Sequence, residues 1–233
     1  MLLSDNRVRE RLRRYVCAWE SVRDVPRVTI DLGGRTITRT LKGNTVMYVC
    51  LSDGTVVDAL PGIYTPADFL AELDRIEGLL ARLDRTPPEG RARAIREWHA
   101  AQAPTRISQA PLEVIVAKGA VESPVLKALE AGPGPEVAPV GPSRFQEYTA
   151  RLVDASARPE SVEQVRRKLA GRDPVALDSS YSRNRLRPGV HLLLSELEGV
   201  RPDDCRQPLF QGLLKIPLDD PFLGLGSLVE GTP

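Results

Sequence analysis

Apolar residues recur at helical spacing most clearly at Phe69, Leu70, Leu73, Ile76, Leu79, Leu80 and Leu83, a wide stripe along one helix face. The residues before it predict how that helix starts. Thr65-Pro66-Ala67-Asp68 supplies a capping side chain, a proline at the first helical position and an acid in the first turn, and Tyr64 and Phe69 are placed to staple across the cap. Upstream the period shortens from helix to strand. VMYVCLS (46–52) and TVVDAL (55–60) flank Asp53-Gly54, the chemistry of a tight hairpin turn. RVTIDLGGRTITRTL (27–41) reads as a second hairpin around Gly33-Gly34, its second arm polar at nearly every position and so a solvated edge ribbon. YVCAWESV (15–22), apolar on both faces near its start, reads as an interior strand. Residues 5–14 suit a short helix capped by Ser4 or Asp5, with Val8, Leu12 and Tyr15 on one face and arginines on the other.

Beyond Leu83 the signals thin. Thr86-Pro87-Pro88-Glu89 opens a helix to about Ala101 with Ile95 and Trp98 inward, and PLEVIVA (111–117) reads as a strand or extended segment. The stretch 132–142 is so rich in proline and glycine that it reads as a linker or long surface loop. Helices are expected at 144–155, 162–170, 189–198 and 203–215, with a capping box at Ser161–Gln164 and stops at Gly171 and Gly199. The expected division is therefore 1–84, a connection over 85–131, the 132–142 linker, and a mostly helical region over 143–233.

Composition narrows the function classes. With 32 basic and 31 acidic residues the net charge is +1, which supplies no long-range field for nucleic acid or an anionic membrane. No apolar run is long enough to span a bilayer, and the first residues, MLLSDNRVRE, lack a signal-peptide core, so the chain as it stands reads as cytoplasmic; a longer N-terminus would reopen export. Three cysteines and two histidines fit neither a zinc site nor a disulfide framework, and no cofactor is implied.

The order from Thr45 to Leu83, with its Asp53-Gly54 turn and its Pro61-Gly62-x-x-Thr65-Pro66-x-x-Phe69-Leu70 run, resembles the C-terminal half of a thioredoxin fold, and residues 4–22 resemble the helix and strand before it. The resemblance covers about residues 4–83. It implies an α/β protein: an incomplete thioredoxin-like sheet with flanking helices, followed by the mostly helical region. The family's C-x-x-C would lie before Met1, and its cis-proline position is matched here by Thr45, so the resemblance carries over no nucleophilic cysteine. What it implies is a redox-inactive interaction or structural module with a protein partner. The alternative is a fragment of a thiol-disulfide oxidoreductase whose dithiol lies upstream. The strand missing from mid-sheet would leave unpaired edges, and 111–117 is the internal segment best suited to fill the place.

Candidate reactive groups are Cys17, Cys50, Asp178, Arg187 and His191. Cys17 and Cys50 lie in apolar strand contexts, where a thiol is buried and inert; a Cys17–Cys50 disulfide is the alternative. Cys205 lies in the first turn of a helix opened by Pro202-Asp203-Asp204, where the helix terminus and the two carboxylates push its pKa in opposite directions. His191 reads as a partly buried structural histidine, and His99, beside Trp98, as an exposed one. Hydrolase-type chemistry would require Asp178, Arg187 and His191 to converge in one cleft. Asp219-Asp220-Pro221 through Gly226 reads as a turn rather than a calcium loop.

Overall fold

The computed structural model describes residues 2–25, 27–31, 36–40, 45–105, 143–152, 173–216 and 218–219. The segments 111–117, 132–142 and 162–170, the Ser161 box, Gly171 and most of Asp219–Gly226 lie outside these. Helix α1 spans Asn6–Leu12 and is capped by the Asp5 carboxylate, which accepts from the Arg7 and Val8 N–H groups. Strands β1 (Arg27–Asp31) and β2 (Thr36–Thr40) pair antiparallel as a separate hairpin, Thr29 opposite Thr38. Strands β3 (Val46–Cys50) and β4 (Val56–Pro61) form the second, with a bulge at Val49/Cys50. The Asp53 carboxylate accepts from Thr55 N–H and Gly54 takes φ +88°, so the Asp-Gly turn forms as its residues dictate.

Helix α2, Pro66–Leu83, starts at the Thr65 cap and buries Phe69, Leu73, Ile76, Leu79 and Leu83. Helix α3, Pro88–Gln102, opens within Thr86-Pro87-Pro88-Glu89 as expected, with Pro87 extended at ψ 146° in the cap position and no side-chain capping bond. Then come α4 (Arg144–Arg151), α5 (Pro174–Tyr181), α6 (Arg187–Glu196) and α7 (Pro202–Gln207). A π-helical stretch, Ser182–Leu186, joins α5 to α6 in one continuous helical run, and a second, Pro208–Leu213, continues α7. The described residues are thus a mixed α/β structure.

The β3–β4 hairpin lies between two apolar cores. On one side Val49, Val57 and Leu60 pack with α1, α2 and α3; on the other Val56 and Ala59 pack with α4, α6 and the turn of helix after α7. β4 is buried at every residue. The Val56 N–H donates to Val200 O at 2.8 Å, tying the α6–α7 connection to the strand.

One strand expectation fails. Residues 15–22 run without ladder pairing; Tyr15 packs against the first core, but Val16 and Trp19 are bare, Trp19 at 90% exposure. A strand forms only where a neighbour satisfies its backbone, and no described residue offers one here. The same segment leaves Cys17 exposed, and Cys50 is exposed at the end of β3; both are free, so neither the burial expected of them nor a disulfide is found.

Candidate functional site

Charge inside the fold concentrates where β4, α2 and α6 meet. Asp58 interrupts a strand that is otherwise apolar, and Glu72 falls on the buried face of α2 between Phe69, Leu73 and Ile76. Both acids are shut off from water, so each needs a cation in contact. Arg187, the first residue of α6, supplies it. Its Nη1 and Nη2 donate to Asp58 Oδ1 and Oδ2 at 2.6 and 2.8 Å, a bidentate fork; Nη1 also donates to Ala59 O at 2.7 Å, and Nε sits 3.3 Å from Glu72 Oε2. Burial alone would raise the Asp58 carboxyl, but the Arg187 charge and its hydrogen bonds outweigh that and hold it below the usual carboxylate range. On the rim, Arg75 reaches Glu72 at 3.3 Å. The Tyr64 hydroxyl is buried beside these charges with no hydrogen-bond partner among the described residues, and burial pushes its pKa up.

The π-helical stretch sets how the α5–α6 run meets the loop before α2. Ser179 Oγ accepts from Thr65 N–H at 3.0 Å and donates to Asp68 Oδ2 at 2.6 Å; Ser182 Oγ accepts from Ile63 N–H at 3.1 Å. Arg183 closes an ion pair with Asp68. The Ser179 hydrogen bond chiefly holds the Asp68 carboxyl down, with the Thr65 hydroxyl and the Arg183 charge adding to it against partial burial. Gly62, at φ +91°, permits this approach: a Cβ there would lie 2.4 Å from Ser182 Oγ.

One turn along α6 from Arg187, His191 meets His99 of α3 with Nδ1 to Nδ1 at 2.9 Å. His99 Nε2 is 2.9 Å from Val57 O, which can only accept, so that nitrogen carries the proton. Neutral His99 therefore accepts at Nδ1, His191 donates from its Nδ1, and the His191 Nε2 holds a lone pair. Trp98 lies edge-on to both rings, 4.7 and 5.5 Å between centroids. Burial lowers the His99 pKa against the pull of Asp58. Burial, then the Arg187 charge, pushes His191 down to about 3. A base that weak holds no proton at neutral pH and is a poor general base.

The structure brings Arg187 and His191 to one helix face but points them at different partners, and Asp178 is exposed on α5, its carboxyl raised by partial burial and bonded to neither. The three therefore do not converge in one cleft. His99 is fully buried, contrary to the exposed position expected, because α3 packs closely on α6 and Val57 O needs a donor. Cys205 is buried too: burial, and after it Asp204, raises its thiol to about 12, so the helix terminus loses. Burial and then Asp53 raise Cys50. Sequence reasoning missed Asp58 and Glu72. The signal for both was a lone acid at a core position of an apolar element.

Among the described residues no group of three or more histidine, cysteine, aspartate or glutamate side chains is arranged to hold a metal ion, and no helix is long and apolar enough to cross a membrane. No protein-family model, no curated protein and no solved structure matches this chain.

Proposed function

We propose that the chain is a redox-inactive, thioredoxin-like interaction or structural module, in which the β3–β4 layer and its helices form a platform for a protein partner. The observation that carries the reading is the Arg187 fork on Asp58, both side chains 4% exposed or less. The two buried carboxylates share Arg187, with Arg75 reaching Glu72 from the rim, which suits a lock between α6, β4 and α2 rather than a reaction centre. The order β3, Asp53-Gly54, β4, Pro61-Gly62 and Thr65-capped α2 supports the thioredoxin-like part of the reading. Three free cysteines, none a neighbour of another in sequence, support a reducing, cytoplasmic setting.

The test is thiol-disulfide exchange. Reduction of insulin by dithiothreitol is expected to proceed no faster with this protein than without it. Catalytic turnover above the dithiothreitol rate overturns the reading.

A further inference from the structure

The β3–β4 layer has helices on both faces but a side that no described residue covers. Thr45 O accepts from Gly62 N–H and Leu51 N–H donates to Thr55 O, which turns residues 45 and 51 towards β4. Strand alternation between them turns the backbone N–H and C=O groups of Val46, Tyr48 and Cys50 outwards. No described residue bonds to these outward groups, since β3 pairs only with β4. The side beyond β4 is closed by contrast: Val56 N–H reaches Val200 O, and the Val57 and Ala59 carbonyls take His99 and Arg187. Edges left open in natural proteins are guarded by charge, proline or brevity; VMYVC carries neither charge nor proline.

The same chain also carries a segment with no ladder partner among the described residues. Residues 16–22, V-C-A-W-E-S-V, carry the β-formers Val16, Trp19 and Val22, pair with no described strand, and hold Val16 and Trp19 in solvent. Glu20 in this segment pairs with Arg206 of α7 at 2.8 Å. An acceptor edge and a donor segment, neither paired by any described residue, suit a reciprocal pairing of two copies.

We propose that the outer edge of β3 takes up an extended strand from a second copy of this chain, with residues 16–22 as the donor. This rests on the reading as an interaction module and names its partner. Paired this way, each copy covers the other's Trp19 and completes the other's layer with a third strand.

Sedimentation equilibrium of the reduced full chain across the micromolar range tests it. Mass is expected to rise from one chain to two with concentration. Trp19→Ser, at a bare position, and Cys50→Pro, which takes away an N–H that faces away from β4, are each expected to weaken the dimer at least about tenfold, with circular dichroism unchanged. A monomer at every concentration overturns the proposal, as does a dimer that tolerates both variants, which another surface would then hold. Either result leaves the insulin assay untouched, and turnover in that assay would sink the functional reading while leaving a strand-exchanged dimer standing.

Discussion

Two acids and one arginine decide how α6 sits on the hairpin. Asp58 and Glu72 have been carried out of water, a cost that Arg187 offsets with a two-pronged bond to one and an ion pair to the other. Truncation leaves both carboxylates in the core without their main cation. Arg187→Ala is therefore expected to lower the free energy of unfolding by about 3–5 kcal/mol, read from urea denaturation. Arg187→Lys should recover only part of it, since a single ammonium cannot reproduce the fork and the Ala59 contact together. Equal loss in Arg187→Ala and in an exposed control such as Arg93→Ala would mean that the buried network contributes nothing specific. A buried ion pair often does no better than an apolar pair of the same shape, so its use here is better read as orientation: the fork permits one rotation of α6 over β4.

At the scale of elements, the structure follows the sequence wherever the determinants are local. Thr65, Pro66 and the Phe69–Leu83 stripe sit within one helix, and Asp53-Gly54 sits within its own turn, so both could be read from the chain. The start of the 187–196 helix could not, because the π-helical stretch before it carries α5 into α6 without a capping signal. Residues 15–22 have the composition of a strand, yet pairing needs a neighbour that composition cannot supply. Helix packing gives a sharper test. A Cβ on Gly189 of α6 would lie 2.3 Å from Leu213 Cδ2 and 3.1 Å from Tyr148 Cε1, whereas one on Gly78 of α2 meets nothing within 4 Å. Gly78→Ala should stabilise by about 0.5–1 kcal/mol through helix propensity alone. Gly189→Ala should destabilise by about 1–3 kcal/mol despite the same propensity gain, and Leu213→Ala should cost less in the Gly189→Ala chain than in the wild type, because the two changes share one contact. Thermal unfolding of the four variants decides it; a stabilising Gly189→Ala would mean that α6 does not pack against α4 and the segment after α7 as closely as described.

The candidate site belongs to the whole molecule, which is why the sequence showed so little of it. Arg187 stands 129 residues from Asp58, and His191 stands 92 from His99. Lone acids at Asp58 and Glu72 mark where a partner is needed, but no spacing rule says which distant cation or histidine will arrive. That convergence makes acid the natural stress on the fold. Both histidines are neutral and bonded in the native state, and burial lowers both from the ordinary 6.5, His191 to about 3. The unfolded chain binds protons that the folded chain refuses, so stability is full above about pH 6.5 and falls as pH drops through that value, at up to about 1.4 kcal/mol per pH unit for each histidine. Asp58, held below its ordinary 3.8, adds a loss of the same sign at still lower pH, when the unfolded carboxyl protonates first. Urea midpoints measured from pH 7 to pH 4.5 should therefore decline steadily, before carboxylates contribute much. His191→Gln keeps an N–H donor for the His99 Nδ1 but cannot titrate, so its decline should be shallower by about one proton's worth of slope. Wild type and His191→Gln with identical slopes would show that His191 takes up its proton equally in both states, and the closed hydrogen-bond pair between α3 and α6 would then not be the native arrangement.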